Sequence, residues 1–286
     1  LALARECPLM LAPAMNRQMW ESAPTQRNVV ALSADGVLLV GPEAGDQACG
    51  ETGMGRMLEP EAIHAEIVRA LGPKSLAGRR VVVTAGPTFE PIDTVRGMTN
   101  LSSGKMGFAV AQAAAEAGAD VTLVAGPVSL RTPAGVRRES VITARDMYAA
   151  VMRSAAAADV FIAVAAVADY HVRNAANHKL KKNGELPKLE LQENPDILAA
   201  VAALPQPPFC VGFAAETENL HEYAQAKREK KRIPLLAANL AQHAFGRDDN
   251  ALTLFDDAGE HQLPRAPKIV VARQLVAHIA SMLPPE

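Results

Sequence analysis

The chain has 286 residues, 49% of them hydrophobic, and its 29 basic and 31 acidic side chains give a formal charge of −2. This length and apolar content suffice for one or two folded domains and exclude extensive disorder. The near-neutral balance and the 4% aromatic content argue against a nucleic-acid binder, which needs a basic surface or stacking rings.

The first 72 residues predict a small unit that ends with a helix. Strands are predicted at 8–12 and 36–40, with a loop between them and a long glycine-rich loop after the second. A helix is predicted over 60–70, and Gly72 and Pro73 signal its end, so we place a domain boundary there. The sequence opens at Leu1 without methionine or a secretory leader, and we interpret this start as a truncation.

From residue 78 onward, predicted strands alternate with predicted helices, which is typical of a parallel sheet with crossover helices. A hairpin is predicted over 251–263, and the polar, lysine-containing stretch 170–191 is predicted to be a mobile loop at the carboxyl edge of the sheet. We therefore predict an α/β, Rossmann-like, doubly wound domain over 73–286, with a mostly parallel sheet and an antiparallel hairpin. The strands are predicted at 80–84, 121–124, 160–167, 210–213 and 235–238, and the helices at 106–118, 146–157, 195–204, 220–231 and 269–283.

Cysteine spacing and apolar run length bear on the compartment. Cys7, Cys49 and Cys210 are widely spaced and form no CxxC pair, so neither a disulfide scaffold nor a structural zinc site is predicted. The longest apolar run has nine residues, 160–168, against the ~20 that span a bilayer. We predict a cytoplasmic protein that binds neither membrane nor nucleic acid.

Two segments suggest anion binding at a helix start. Residues 84–88 follow a predicted strand, and residues 100–107 open a predicted helix with small side chains. Backbone N–H groups at such a position bind phosphate, but neither the Walker A pattern nor GxGxxG is present. A Ser102 or Ser103 helix cap explains the segment equally well.

Three further features carry charge or reactivity, each with a structural alternative. Asp169, just past a buried strand, can hold a ribose hydroxyl, a base amino group or a metal, or it can cap a turn. Lys227 and Lys231 share one helix face and can meet a triphosphate, or lie on a solvated face. Cys49, in a glycine-rich flap at 49–57, can serve as an acid or be an unreactive loop cysteine.

Taken together, these segments resemble the bifunctional coenzyme A biosynthesis flavoproteins, which join phosphopantothenoylcysteine decarboxylase to phosphopantothenate–cysteine ligase. The resemblance covers nearly the whole chain, with the motifs in order. The matching segments are 12–16, 49–57, 86–88, 100–107, 165–170, 179–182, 194–197, 212–217 and 245–250.

For residues 1–72, the resemblance implies the C-terminal fragment of a flavodoxin-like decarboxylase domain. Asn16 matches a substrate-contacting asparagine, and Cys49 matches the cysteine that protonates the product. The segments that bind FMN would lie upstream, so the resemblance implies FMN in the full-length protein and no decarboxylation by this chain alone.

For residues 73–286, the resemblance implies a complete ligase domain. In that family, CTP activates the carboxylate of 4′-phosphopantothenate as an acyl-cytidylate, and the amine of L-cysteine then displaces CMP. Mg²⁺ is implied through phosphate oxygens, its position unknown, and a homodimer is expected through a strap that carries Arg96. Asn100 and Lys179 are the implied catalytic residues, and Arg96, Asn100 and Ala166 are the implied substrate contacts. The implied nucleotide site comprises Ala163, Val164, Ala165, Asp169, Lys179, Pro195, Asp196, Ile197, Leu198, Phe213, Lys227 and Lys231.

Two other classes of protein share this fold. A nicotinamide oxidoreductase needs a glycine-rich fingerprint after its first strand, and residues 85–88 do not form one. A non-catalytic regulatory subunit descended from the enzyme is expected to have lost Asn100, Asp169 or Lys179, all of which are present.

Overall fold

The computed structural model describes residues 4–47, 50–181, 188–216, 220–240 and 247–284. The chain divides into two compact units, Leu1–Gly72 and Pro73–Glu286. Among the described residues, no helix combines the length and the apolar character that crossing a membrane requires.

The first unit is built from short elements. β1 pairs with β2 in parallel, and β3 pairs with β4 in an antiparallel hairpin. Its few buried apolar side chains include Val37 and Val40 beside β2, and its helices bury no residue completely. The elements are β1 Met10–Leu11, α1 Arg17–Glu21, α2 Ala23–Ala34, β2 Leu38–Leu39, β3 Glu43–Asp46, β4 Thr52–Arg56 and α3 Pro60–Leu71.

Two loop predictions in this unit are wrong. The segment between the first two strands contains α1 and α2, because Asn16 caps α1 by accepting the N–H of Gln18 and Pro24 occupies the first turn of α2. The glycine-rich segment forms the β3–β4 hairpin. Gly55, at φ +135°, allows β4 to approach the backbone of Met15, whose carbonyl oxygen would lie 2.2 Å from a Cβ at Gly55.

An eight-stranded sheet forms the centre of the second unit, in the order β16-β15-β14-β13-β10-β5-β8-β9. The strands from β14 to β9 pair in parallel, and β15 and β16 are antiparallel. Two small hairpins, β6–β7 and β11–β12, lie outside the sheet. The strands are β5 Arg80–Ala85, β6 Phe89–Pro91, β7 Gly97–Thr99, β8 Asp120–Ala125, β9 Val136–Ser140, β10 Val160–Ala163, β11 Tyr170–Val172, β12 Leu191–Glu193, β13 Phe209–Glu216, β14 Leu235–Leu240, β15 Asp249–Asp256 and β16 Gly259–Pro267.

Helices cover both faces of this sheet, so the predicted doubly wound α/β fold with an antiparallel hairpin is confirmed. One face carries α4 and α8, and the other carries α5, α6 and α7. Gly107 allows α4 to approach β5, because a Cβ there would lie 2.5 Å from the Cβ of Ala85. The helices are α4 Lys105–Glu116, α5 Ala144–Ala155, α6 Ile197–Ala202, α7 Leu220–Lys231 and α8 Lys268–Met282.

The winding direction reverses between β5 and β10, because the chain runs from β5 through β8 to β9 on one side and then returns to β10 on the other side of β5. In open α/β sheets, ligands bind at the carboxyl ends of the strands beside such a reversal. We therefore expect a ligand site at the segments that follow Ala85 and Ala163.

Two predicted segments of the second unit differ in the structure, and some strands were not predicted. The strand predicted over 160–167 ends at Ala163, because the chain then turns so that the N–H of Ala165 donates to Thr84 Oγ1 at 3.2 Å. The edge strand β9 was missed because its sequence is polar. The stretch 170–191, predicted as a mobile loop, begins with β11 and ends at β12.

Candidate active site

Two neighbouring cavities lie at the carboxyl edge of the sheet. The first cavity, of about 420 Å³, is bounded by the ends of β5 and β10, the 193–198 turn and one face of α7. The second cavity, of about 640 Å³, is bounded by residues 99–107 and by Asn239, Asn250 and Lys268. Ala165, Val167, Phe213 and Lys227 line both cavities, so the two spaces meet at a shared wall.

Most of the residues predicted for nucleotide binding lie around the first cavity. They come from segments far apart in the sequence that the parallel sheet brings to one edge. Val164 lines the second cavity, and Lys179 lines neither. The predicted residues at the first cavity are Ala163, Ala165, Asp169, Pro195, Asp196, Ile197, Leu198, Phe213, Lys227 and Lys231.

Threonine hydroxyls fix the segment that separates the cavities. Thr84 Oγ1 accepts the N–H of Ala165, and buried Thr88 Oγ1 accepts the N–H of Ala168 at 3.0 Å. The Ala166 N–H donates to the carbonyl of Gly86 at 2.9 Å. The backbone of 165–168 is therefore held at both ends, and this segment carries Asp169 to the mouth of the first cavity.

The 193–198 turn closes the other side of the first cavity. Asn194 donates its backbone N–H to the Asp169 carbonyl at 2.8 Å and its side-chain amide to the Ala168 carbonyl at 2.9 Å. Asp196 caps α6 by accepting the N–H of Ala199 at 3.0 Å. The capping carboxylate fixes the start of α6, which places Ile197 and Leu198 in the cavity wall.

Two lysines on α7 bring positive charge to this cavity. Lys231 Nζ lies 3.0 Å from Asp196 Oδ2, and Lys227 Nζ donates to the Phe213 carbonyl at 3.4 Å. Burial raises the pKa of Asp196, but the Ala199 N–H and the charges of Lys231 and Lys227 outweigh it and hold that pKa below its ordinary value. The i, i+4 spacing therefore produces a pair of ammonium groups at one wall, as predicted for a polyphosphate ligand.

The second cavity combines a helix N-terminus with two further lysines. Gly104, at φ +75°, is the N-cap of α4 and has no side chain, so no N-cap side chain competes with an anion for the first N–H groups of the helix. Lys105 pairs with Asp248 at 2.5 Å, and Lys268 is buried. Burial, followed by repulsion from Lys105, lowers the pKa of Lys268.

Asn100 lies at the second cavity, and its amide contacts the backbone of the segment that separates the cavities. Its Nδ2 donates to the carbonyls of Ala166 and Val167, both at 3.1 Å. Both amide hydrogens are therefore used to hold the segment between the cavities. The helix cap predicted as an alternative at Ser102 or Ser103 is wrong, because the N-cap of α4 is Gly104 and Ser102 Oγ accepts the N–H of Gly104 rather than that of a helical residue.

Arg96 contacts Leu180, the residue after Lys179, and neither Arg96 nor Lys179 lines a cavity. The buried carboxylate of Asp93 accepts the backbone N–H of Val95 and of Arg96 at 2.8 Å, the Arg96 guanidinium at 2.5 Å and the Leu180 N–H at 3.1 Å. Arg96 also donates to the Leu180 carbonyl at 3.0 Å. The predicted mobile loop is thus attached to the β6–β7 hairpin next to Lys179.

The residues predicted for the decarboxylase half fall in the first unit. Asn16 caps α1, and its Nδ2 donates to Glu51 Oε2 at 2.8 Å. Cys49, predicted as a proton donor, lies outside the described residues.

Sequence reasoning missed the polar lining of the second cavity. Lys105 belongs to the segment 100–107, which matches no phosphate-loop pattern that would mark this lysine as a phosphate ligand. Lys268, Asn239 and Asn250 lie far along the chain, and only the sheet topology brings them together. The contacts of Asp93 within its own loop have a local origin, because an aspartate whose carboxylate accepts the N–H groups two and three residues later forms an Asx turn.

Comparisons with known families match both units of the chain. Residues 76–283 match the family described as "DNA/pantothenate metabolism flavoprotein C-terminal domain", and residues 1–72 match the family described as "Flavoprotein". A solved structure, the C-terminal domain of coenzyme A biosynthesis bifunctional protein CoaBC, superposes with a TM-score of 0.64 and 38% sequence identity, over 73% of this chain and 97% of that chain.

Two relatives match nearly the whole chain. Coenzyme A biosynthesis bifunctional protein CoaBC of Vibrio cholerae is 50% identical over 278 residues, which are 95% of this chain and 70% of the relative. The protein of the same name from Escherichia coli K12 is 46% identical over 289 residues, 98% of this chain and 71% of the relative. The order of predicted motifs, the doubly wound fold and these matches agree. The chain belongs to the family of coenzyme A biosynthesis bifunctional proteins, CoaBC.

Proposed function

We propose that residues 73–286 ligate 4′-phosphopantothenate to L-cysteine at the expense of CTP. The shared wall of the two cavities carries this proposal. A nucleotide in the first cavity and an anionic acid in the second would meet beside Ala165, Val167 and Phe213, with Lys227 reaching both. Joining two ligands end to end requires such an arrangement.

The chemistry requires positioning and charge neutralisation rather than a nucleophilic side chain. A carboxylate oxygen of phosphopantothenate attacks the α-phosphorus of CTP, and the bond to pyrophosphate breaks, giving an acyl-cytidylate. The cysteine amine then attacks the acyl carbon, CMP leaves with the bonding electron pair, and the amine releases a proton. Negative charge accumulates at phosphorus in the first step, so we assign Lys227 and Lys231 to the phosphates.

The distal phosphate of phosphopantothenate is assigned to the second cavity. The α4 N-terminus, Lys105 and Lys268 supply backbone donors and positive charge at one place. Lys105 would then exchange Asp248 for the ligand phosphate. Asn100 is proposed as a positioning residue, because its amide holds the segment against which the acyl group would lie.

Mg²⁺ fits the first cavity by the chemistry of its donors. Asp169 and Glu193 present exposed carboxylates at its lining, and carboxylate oxygens together with phosphate oxygens are ligands that Mg²⁺ prefers. When bound, the ion would neutralise triphosphate charge.

We further propose that the ligase unit acts as a homodimer. The β6–β7 hairpin and the segment after it expose apolar Val95 and Leu101, and Arg96 lies beside Val95 on the same hairpin. A partner subunit seated there would cover these side chains. Arg96 and Lys179, which line neither cavity of their own chain, would then be placed to reach the partner's site.

The first unit is proposed as part of the decarboxylase that acts on the ligation product. Asn16, held at the α1 N-terminus by Gln18 and Glu51, is proposed as a substrate contact on the family resemblance. Cys49 is proposed as the proton donor. FMN is expected in the full-length protein.

An assay of pyrophosphate release tests the ligase proposal. The purified chain is incubated with 4′-phosphopantothenate and Mg²⁺ and with CTP, ATP, GTP or UTP in turn, and product is measured after L-cysteine is added. We expect release with CTP that depends on phosphopantothenate, and CMP with ligated product after cysteine. Lys227→Gln should lower the rate by on the order of a hundredfold, while Lys230→Gln, on the exposed side of the same helix, should not.

Two outcomes contradict the proposal. Pyrophosphate release that does not need phosphopantothenate would indicate a hydrolase. The absence of release with all four nucleotides would remove the ligase assignment.

A further inference from the structure

Three potential metal ligands converge outside both cavities. Asp256 ends β15, His261 lies on β16, and His278 lies on α8. His278 Nε2 is 2.8 Å from Asp256 Oδ2, and His261 Nε2 is 3.1 Å from the same carboxylate. One ligand atom from each of the three lies within 4.8 Å of the others.

This cluster is held in place before any ion arrives. Asp256 Oδ1 accepts the N–H of Ala258 at 2.8 Å and of Gly259 at 3.1 Å, so the hairpin turn fixes the carboxylate. The Asp256 side chain is 3% exposed, and the two imidazole rings are 4.6 Å apart between centroids. Backbone donors to a carboxylate and ligands on strands and a helix are the support that metal sites require.

The chemistry of the three ligand side chains determines which metal ions the cluster favours. Two imidazole nitrogens and one carboxylate oxygen suit Zn²⁺ and neighbouring transition metals rather than Mg²⁺ or Ca²⁺. Tetrahedral ligands at the usual ~2.0–2.1 Å from Zn²⁺ are roughly 3.4 Å apart. The observed separations of 2.8 and 3.1 Å therefore need to widen by only a few tenths of an ångström.

From this geometry we propose that Asp256, His261 and His278 bind one Zn²⁺ ion, with water as the fourth ligand. The histidine side chains are 39% and 20% exposed, which leaves one side of the cluster open to solvent. Each histidine coordinates through the Nε2 lone pair and carries its proton on Nδ1.

The site is separate from the proposed ligase chemistry. β15 runs antiparallel to β14, and Phe255 pairs with Leu236 near the start of β14. Asp256 therefore lies at the amino edge of the parallel strands, opposite the cavities. An ion here would tie the β15–β16 hairpin to α8.

Calorimetric titration with ZnCl₂ tests the proposal. The purified chain is first treated with EDTA and dialysed, and His261→Gln and His278→Gln are compared with wild type. His221→Gln is the control, because His221 is also near the hairpin, paired with Glu260 at 3.0 Å, but is not in the cluster. Circular dichroism establishes that each variant is folded.

We expect wild type and His221→Gln to bind one Zn²⁺ at this site with the same Kd. We expect each cluster variant to bind it about a hundredfold or more weakly, since loss of an outer partner alone costs 10–100-fold. Co²⁺ in wild type should give the visible absorption of a four-coordinate ion, which the cluster variants lack.

Two results overturn the site: no Zn²⁺ binding by wild type, or equal affinity in wild type and both cluster variants. If a histidine variant fails to fold, Asp256→Asn is used instead, because its amide oxygen still accepts the N–H groups of the turn. Unchanged Zn²⁺ affinity in Asp256→Asn also overturns the site. Pyrophosphate release is measured in parallel. We expect a variant that no longer binds Zn²⁺ to release pyrophosphate at the wild-type rate. Failure of the Zn²⁺ site can therefore be distinguished from failure of the ligase proposal.

Discussion

Replacing Lys231 with glutamine removes one of the two ammonium groups at the proposed phosphate site. Lys231 Nζ lies 3.0 Å from Asp196 Oδ2, with a side chain that is 19% exposed against 52% for that of Asp196. The lysine is therefore held at the cavity wall by a carboxylate that remains largely in water. Glutamine preserves most of the side-chain length, so the α7 packing should persist.

The expected loss of nucleotide affinity follows from two opposing contributions. A hydrogen bond from a charged donor contributes about 1.5–3 kcal/mol. A half-exposed ion pair such as Lys231–Asp196 contributes at most about 1 kcal/mol, and phosphate binding gives up that contact. The net loss is about 0.5–3 kcal/mol, which corresponds to a roughly 2- to 150-fold weaker Kd.

Calorimetric titration of CTP with Mg²⁺ into wild type and Lys231→Gln measures this loss directly. Lys230→Gln is the matched control, because Lys230 is exposed on the same helix and should leave Kd unchanged. Asp196→Asn removes the competing carboxylate and should tighten binding a few-fold. Equal CTP affinity in Lys231→Gln and wild type would refute the assignment of Lys231 to the phosphates. Weaker binding in Asp196→Asn would show that Asp196 contacts the nucleotide instead of competing with it.

Three further predictions concern residues that shape the site. Asn100→Asp loses two amide hydrogen bonds and sets a carboxylate against two carbonyls, so the free energy of unfolding should fall by about 1–3 kcal/mol in urea denaturation; unchanged stability would mean that the amide is not tied to this segment. The Arg96 guanidinium beside Asp93, with backbone N–H groups, holds the pKa of that carboxyl well below its usual range. The ionised Asp93 carboxylate therefore stabilises the fold fully above the unfolded pKa of ~3.9, and this contribution is lost as the pH falls through the lower folded pKa. Asp93→Asn should therefore be less stable than wild type at neutral pH, with a difference that shrinks in strongly acidic solution, and a constant difference across that range would contradict the reasoning. In Gly107→Ala the free energy of unfolding should fall by about 1–2 kcal/mol, because the clash with Ala85 exceeds the ~1 kcal/mol gained in helix propensity. A stabilised variant would count against the close packing of α4 on β5.

The doubly wound fold could be predicted because its signals are local. Apolar runs such as 160–163 mark strands buried on both faces, and alternation with helices indicates parallel pairing. The elements that were missed have weak local signals: β9 is a polar edge strand, and β6 and β7 have three residues each. α1 depends on a single Asn16 cap, and its short sequence gives little helical periodicity.

The lining of the first cavity could be predicted more completely than that of the second cavity for a related reason. Asp169, Lys227 and Lys231 belong to recognisable motifs, and the topology then gathers them. Lys268 belongs to no motif and Asn250 only ends the matching segment 245–250, and their proximity to α4 follows from the positions of α8 and β15 in the fold. The sequence does not determine the hydrogen-bond partners of the Asn100 amide, because they depend on where the 165–168 backbone passes.

The carboxylate of Asp93 also restricts how this region can change over evolution. Three backbone N–H groups and one guanidinium meet on its two oxygens, within a side chain that is fully buried. Glutamate is one methylene too long for that spacing, and asparagine replaces one acceptor with a donor. Drift in the hairpin and in the stretch around Leu180 should therefore be correlated, since a change of backbone path in one of them has to keep its hydrogen bonds to the same carboxylate.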